Sequence, residues 1–437
     1  MSATIRRFCA LLFLLLPAAL CARAQKTSPE VRFLKHEIST LAGTAMDGRG
    51  YYKDGRGKAA KYITRKLREY GLRPMGNDSA WTQVYTFSVN TFPGEVAFSI
   101  GRQAMEPSAQ YLVDAGSSSG VGEKMKVTTI DCGSRKILAQ VDTLPKLFAR
   151  FTNQNTAYLL RNVDTLVKKL GIRTRDLRRA LPKGTYIIPQ KDRLIWTVAT
   201  DTTAGVVFQV ADTALPKKTK RISYIVEQKF EPAAKSENVL GFVPGTAQPD
   251  SFILFTAHYD HLGHMGHEAE FPGASDNASG TAMLLYLASY FAQHPQRYSI
   301  GFIAFSGEEA GLKGSAFFTQ HPTINLRKVR FVTNLDIMGD ATDGLSVVNG
   351  DARRDEFALL EKINTEKGYV PRLVSGPGSA NSDHYHFVEQ GIPAIFIFSR
   401  GGPGHYHDVF DKPPTLKLTN MDGAAKLIID FAGALMR

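Results

Sequence analysis

The sequence predicts an α/β protein: a three-layer sandwich whose mostly parallel central sheet is flanked by helices, with an inserted α+β segment. Three observations predict it. From about residue 233 to the end the chain repeats apolar strand, polar loop and helix, the pattern of a parallel sheet covered on both faces. The strands of that repeat lead into Asp, Glu or His. Between about 106 and 232 the pattern changes to short β-like runs rich in Lys, Arg and Thr, without a cluster of ligand-type residues.

The chain opens on Arg6 and Arg7, an apolar run over 8–20, and Ala22-Arg23-Ala24. Positive charge, apolar core and small-x-small site predict a secretory signal peptide over 1–24, hence a periplasmic or secreted protein. The run falls short of the ~20 apolar residues a bilayer span needs, and no later segment reaches that length. Cys21 offers lipid attachment as an alternative, with bulky Leu20 before it where a small residue is wanted. Cys9 and Cys21 lie in the removed segment, so Cys132 is left without a disulfide partner in the mature chain. Stability must then come from a core, and about 410 residues suffice for two domains. The formal charge of +12 falls to about +9 without Arg6, Arg7 and Arg23. The basic run Lys217-Lys218-Thr219-Lys220-Arg221 stands without any nucleic-acid motif and reads as a solvated face, so no nucleic-acid partner is expected.

Three stretches follow. In 25–105, Ala59, Ala60, Tyr62, Ile63, Leu67 and Tyr70 have helical spacing, Gly71 caps that helix, and 82–87 alternates as a strand. The middle stretch, 106–232, reads as an inserted or accessory domain. It has β-like runs at 185–188, 194–198, 205–210 and 222–226 around a helical segment at 162–181. With 25–105, the stretch 233–437 forms a discontinuous domain that carries the Asp, Glu and His residues at its strand ends. Its strands are expected at 252–256, 298–305, 329–335 and 393–398. Its helices are expected at 278–293, 312–319, 357–367 (ended by Gly368) and 420–435. Asp276 or Asn277 is placed to cap the first of these.

Ligands of such sheets bind beyond the carboxyl ends of the strands. His258 and Asp260 follow the first strand, and Asp276 precedes the next helix. Glu308 and Glu309 follow the second strand, Asp336 ends the third, and His407 follows the last. Imidazole nitrogen and carboxylate oxygen suit zinc, and the set holds too many carboxylates for one structural ion. Two His, two terminal carboxylates and Asp276 between the ions fit a two-metal hydrolytic site with an open position for water. Of the adjacent pair Glu308-Glu309, one can bind metal while the other takes a proton from water.

The segments His258-Tyr259-Asp260, Ser275-Asp276-Asn277-Ala278-Ser279-Gly280, Ser306-Gly307-Glu308-Glu309 through Ser315, Asn334-Leu335-Asp336 and Tyr406-His407 resemble the co-catalytic two-zinc aminopeptidase family, relatives of glutamate carboxypeptidase and transferrin-receptor ectodomains. Asp47-Gly48-Arg49 and Glu237-Asn238-Val239-Leu240-Gly241 are similar to the segments that lead into the family's catalytic domain. The resemblance covers 30–90 and 235–437 and leaves out the middle stretch. It implies two Zn²⁺ per chain, peptide substrates and cleavage of N-terminal residues. It assigns His258 and Asp336 to one zinc, Glu309 and His407 to the other, and Asp276 to both. Glu308 becomes general base and then acid, Asp260 orients the His258 imidazole, and Tyr406 donates to the tetrahedral oxyanion. Asp408 stands where the family commonly has Thr.

Three further motifs have plainer readings. Ser382-Asp383-His384 is too contiguous for a triad and reads as support beneath the site. His261, His264 and His267 read as a mobile loop at the site mouth. Gly401-Gly402-Pro403-Gly404 lacks the Lys and helix of a phosphate loop and gives the backbone freedom to deliver Tyr406-His407. Alternative functions on the same fold are a carboxypeptidase or dipeptidase, with Arg400 to hold a carboxylate, a glutaminyl cyclase, and a non-catalytic binding relative.

Overall fold

The computed structural model describes residues 27–151 and 153–437, so the signal-peptide reading and Cys21 lie outside the described residues. Two large sheets organise the chain. The first has nine strands, with Gln248–His258 at its centre paired in parallel to Tyr298–Phe305 on one side and Val329–Leu335 on the other. Ala394–Ser399 continues the parallel set beyond Val329–Leu335. The flanks turn antiparallel: Leu345–Val348 pairs with Ala394–Ser399, and Lys229–Val243 pairs with both Tyr298–Phe305 and Thr82–Thr91. The predicted parallel sheet is therefore parallel at its centre, where helices cover both faces, and mixed at its edges.

Strand periodicity builds the layers. In Gln248–His258, Ile253, Phe255 and Ala257 point into the larger core, and Leu254 points into the core on the opposite face. The larger core is closed by helices Pro29–Leu41, Gly55–Glu69, Gly280–Gln293, Arg354–Lys367 and Met421–Ala434. The opposite face is closed by Phe318 of Lys313–Gln320 and Phe387 of His384–Glu389. Helix ends match the sequence signals. Gly71 follows Gly55–Glu69 with φ +83°, and Gly368 ends Arg354–Lys367 with φ +63°, both in the left-handed region that spares glycine a Cβ clash.

The second sheet has eight strands, of which Gly120–Asp131, Thr156–Arg161, Thr185–Gln190 and Val206–Ala211 are mutually parallel neighbours. Helices Val163–Leu170 and Thr174–Ala180, where one helical segment was expected, cover one of its faces through Leu166 and Leu177. Its other face packs on Leu262, Met265 and Phe271. This sheet begins at Val96–Ile100 and ends at Arg221–Val226, so the expected boundaries at 106 and 232 both move toward the N-terminus. The reason is Lys229–Val243, one long strand that continues from the second sheet's last strand into the first sheet while pairing with Thr82–Thr91. The 194–198 run is no strand. It is extended chain, and Trp196 in it is tied to the last loop of the first sheet.

Candidate active site

The carboxyl ends of the four central parallel strands deliver the chemistry. His258 is the last residue of Gln248–His258; Asp336 follows Val329–Leu335; Glu308 and Glu309 follow Tyr298–Phe305. His407 comes at the end of the glycine-rich loop after Ala394–Ser399. Asp276 sits on the turn into helix Gly280–Gln293. There the Asn277 side chain, rather than capping the helix from its N-cap position, which is Ser279, braces the turn: its Oδ1 accepts from the Gly280 N–H at 2.8 Å. Gly280 itself allows close approach, because a Cβ there would lie 2.4 Å from the Leu335 carbonyl oxygen.

Asp276 joins two halves of the site. Its Oδ1 lies 3.4 Å from His258 Nε2 and its Oδ2 lies 3.0 Å from His407 Nε2. On the first side, Asp336 Oδ1 is 3.3 Å from His258 Nε2. On the second, Glu309 Oε2 is 3.1 Å from His407 Nε2. Glu308 stands over the first side, with Oε2 4.0 Å from His258 Nε2. The donor atoms of His258, Asp276 and Asp336 lie within 4.8 Å of one another, and so do those of His261, Asp276, Glu309 and His407.

Charge explains why this cluster suits a cation. Asp260, Asp276, Glu308, Glu309 and Asp336 are gathered in a buried volume against few imidazoles. Burial pushes the Glu308 carboxyl well above its usual range, and the charges of Glu309, Asp336 and Asp383 add to that against the opposing His258. Burial also works against ionised Asp276 and Glu309. It is outweighed by His258 and His407 at Asp276, held well below the usual range, and by His407 and His261 at Glu309, brought down to about 2. Unneutralised buried carboxylates are costly, so positive ions at the two groups would relieve the excess. Nitrogen and oxygen donors without a thiolate fit zinc.

Residues 238–432 match the profile of peptidase family M28. This segment is an M28 peptidase domain. A probable zinc metalloprotease of Pyricularia oryzae is 40% identical over 110 residues, 25% of this chain and 22% of that protein. The aminopeptidase YwaD of Bacillus subtilis is 32% identical over 170 residues, 37% of this chain and 36% of that protein. The chain thus aligns with well under two thirds of the curated relatives' own length. The solved structure of BSAP, a zinc aminopeptidase from Bacillus subtilis, superposes with a TM-score of 0.68 at 21% identity, covering 93% of this chain and 95% of that one, and shows the shared fold.

Around the M28 domain's metal-ligand candidates lies a hydrogen-bonded frame that the sequence disclosed only in part. The Asp260 carboxylate lies 3.8 Å from His258 Nδ1, and the ring nitrogen is closer to the Asp260 backbone carbonyl, at 3.2 Å. The carboxylate is used elsewhere: Oδ1 accepts from the Glu308 N–H at 3.2 Å and Oδ2 from the Tyr51 hydroxyl at 2.8 Å. Asp260 therefore orients His258 mainly through its carbonyl and fixes the Glu308 loop with its side chain. Asp411 holds Asp276 in the same manner, accepting the N–H groups of Ser275 and Asp276 at 2.8–3.0 Å. The fully buried Arg49 donates to the carbonyls of Tyr259, Pro272 and Gly273 at 2.7–2.8 Å, tying together the turns that carry His258 and Asp276.

His261 corrects the mobile-loop reading. It is buried, and its Nδ1 meets Glu309 Oε1 at 2.7 Å, holding the carboxylate whose other oxygen faces His407. Gly263–Met265 and Ala269–Phe271 form an ordered hairpin, in which His264 pairs with Asp47 Oδ1 at 3.3 Å, while His267 is exposed. The spacing of His261 three residues after His258 was the available signal. Ser382 supports the site as expected, donating to Asp336 Oδ2 at 2.8 Å. The Asp383 carboxylate is buried without a hydrogen-bond partner among the described residues, so the trio is no triad. Tyr406 stacks on the His407 ring with centroids 3.9 Å apart and is 39% exposed, open to a ligand. Asp408 turns the loop by accepting the Phe410 N–H at 2.9 Å. Arg400 is engaged elsewhere: Nε lies 3.4 Å from Asp343 Oδ2 and a terminal nitrogen donates to Ser346 Oγ at 3.0 Å.

One contact comes from the second sheet's side. Trp196 donates its N–H to the His407 carbonyl at 3.1 Å and accepts from His407 Nδ1 at 2.9 Å. Its indole N–H donates to the Val113 carbonyl at 2.8 Å and its ring stacks on Phe271 at 4.8 Å. His407 has φ +52°, a strained value for a residue with a Cβ, and the two Trp196 bonds hold it there.

Proposed function

We propose that the chain is an exported exopeptidase that holds two zinc ions and releases single residues from the N-termini of peptides. The observation that carries this reading is Asp276, whose two carboxylate oxygens face two different imidazoles, each backed by its own further carboxylate. His258 and Asp336 would hold one ion, Glu309 and His407 the other, and Asp276 both. Zinc at these positions would polarise the scissile carbonyl and make water a competent nucleophile.

The chain's own residues do the rest. Glu308, fixed by the Asp260 bond to its N–H, accepts the proton of the attacking water and returns it to the leaving amine. The cations would also favour its ionised form, reversing the upward push that the bare carboxylates exert. Tyr406 donates to the developing oxyanion. Arg400 does not offer a free clamp for a substrate's C-terminal carboxylate, which favours the aminopeptidase reading over the carboxypeptidase one. Residues 27–91 and 229–437 would supply the catalytic unit, with the intervening segment as an accessory domain.

Metal analysis of the purified chain should give close to two zinc per molecule. Amino-acid anilides should be cleaved in a chelator-sensitive manner, and N-acetylated peptides should not. Cleavage of blocked peptides from their C-terminal end would replace the aminopeptidase reading. Absence of zinc together with absence of cleavage would remove the enzymatic one.

A further inference from the structure

A second concave region lies on the eight-stranded sheet, away from the carboxyl ends of its parallel strands. Strand Gly120–Asp131 begins pairing with Thr156–Arg161 only at Lys126, so on that side its first residues overhang the neighbouring strand, while on the other side they pair with Arg221–Val226. The overhang, the turns at Gln154-Asn155 and Lys183-Gly184, and the start of Val206–Ala211 enclose a pocket of about 570 Å³. Its base carries two buried hydroxyls, Thr185 Oγ1 and Tyr224, joined at 2.7 Å.

The charge on its walls is one-sided. Lys124, Lys126, Lys183 and Arg221 line it, against the single carboxylate of Glu123. Glu123 is 3.8 Å from Lys124, and among the described residues the other three cations have no carboxylate partner. Lys126 and Arg221 are direct cross-strand partners. Like charges placed opposite one another destabilise a strand pair, and a bound anion removes the cost. The backbone at the rim is also held in place. Lys124 has φ +46° at an irregularity in the pairing; its N–H donates to Ser223 Oγ and its carbonyl accepts from Arg221, both at 2.9 Å. That second bond holds the Arg221 guanidinium beside Lys124 on the pocket wall. The basic run noted in the sequence ends at this residue.

We propose that this pocket binds an oxyanion-bearing ligand, one presenting two or more carboxylates or phosphates to Lys126, Lys183 and Arg221. The cavity is larger than one hydrated anion needs, which is why a ligand with several charged groups is specified. The proposal is independent of the peptidase reading, since no residue of the candidate active site takes part.

The test uses the full chain and two fluorescent probes: an N-acetylated hexaglutamate peptide and a labelled tripolyphosphate. Anisotropy titrations at about 0.05 M and ~0.5 M salt should show binding by at least one probe that weakens as screening increases. Which probe binds identifies the source of the oxyanion. The Lys126→Ala/Arg221→Ala double variant should lose about tenfold or more in affinity, because charge-assisted hydrogen bonds are removed. Its thermal midpoint should not fall, since a like-charge pair is relieved. Lys217→Ala/Lys218→Ala, exposed and outside the pocket, should stay within about twofold of the parent chain. No binding by either probe, or equal losses in both double variants, overturns the proposal: the first outcome leaves no site and the second leaves only general surface charge.

Discussion

Four parallel strands stand at the centre of each large sheet, so the two halves of the molecule can be compared edge for edge. In the M28 domain the carboxyl ends lead to His258, Glu308-Glu309, Asp336 and, after a loop, His407. In the other sheet they lead to Cys132, Asn162, Lys191 and Asp212. There Arg161 pairs with Asp212 at 3.1 Å, and the space left beside the pair is only about 50 Å³. Candidate metal groups among the described residues all belong to the first edge. A crevice at strand ends is thus a place where a site can be built, and the residues placed there decide whether one exists.

The largest effect should come from Glu308. Glu308→Gln keeps the shape of the side chain and removes the proton acceptor, so turnover of an aminoacyl anilide should fall by about 10²–10⁴. Zinc content should stay near that of the parent chain. A variant retaining most of its turnover would move the base to another residue and leave the metal reading intact.

Next comes a stability effect that the ligand-bearing sheet should show. His384, buried beneath the site, has its pKa pushed down to about 4 by burial. Unfolded, it titrates near its ordinary value of about 6.5. Between these values the unfolded chain binds a proton that the folded chain does not. The stability tied to neutral His384 is therefore complete above about pH 6.5 and is lost as pH falls toward 4, up to about 3 kcal/mol. Urea titrations of zinc-free protein at pH 7 and ~4.5 should show a smaller loss for His384→Leu than for the parent chain. Parallel losses would assign the pH dependence to other groups.

Trp196 tests how separate the two regions are. Replacing it with Ala removes the stack on Phe271 and the indole bond to Val113, and so releases the backbone pair that holds His407. Loss of such an orienting partner typically costs about 10–100-fold in metal affinity. Competition with a chelator should show one zinc leaving more readily while the other is retained. Uniform weakening of both, or of neither, would contradict a role confined to His407.

The same contrast explains what could be read from the sequence. The strands at 298–305 and 329–335 were legible because a near-continuous apolar run between turns marks a strand buried on both faces. So were the ligand candidates, each at the end of such a strand, in the loop after it or on the turn into a helix. Trp196 was not legible, since it acts through backbone atoms that every residue possesses, across 211 positions of sequence. Asp411 acts 135 positions from Asp276, and only folding brings the two together. The start of the second sheet at Val96–Ile100, ahead of the expected boundary at 106, was not legible because pairing partners, not composition, assign that strand to its sheet. His261 was misread because a His in a Gly-rich turn looks solvated until Glu309 is placed beside it.

The smallest predicted effect tests the quiet edge of the comparison. Arg161 and Asp212 are about a third and two fifths exposed, with side-chain exposures of 32% and 42%. An ion pair at that exposure is screened and is worth about 1 kcal/mol or less. Arg161→Ala and Asp212→Ala should each shift a urea midpoint only slightly and leave zinc content and anilide turnover unchanged. The pair occupies the position in its sheet that the candidate metal ligands occupy in theirs, so a fall in zinc content would be the informative result. It would mean that the second sheet's carboxyl edge constrains the 191–205 segment strongly enough to reach His407 through Trp196, and the two edges would then have to be treated as one coupled structure.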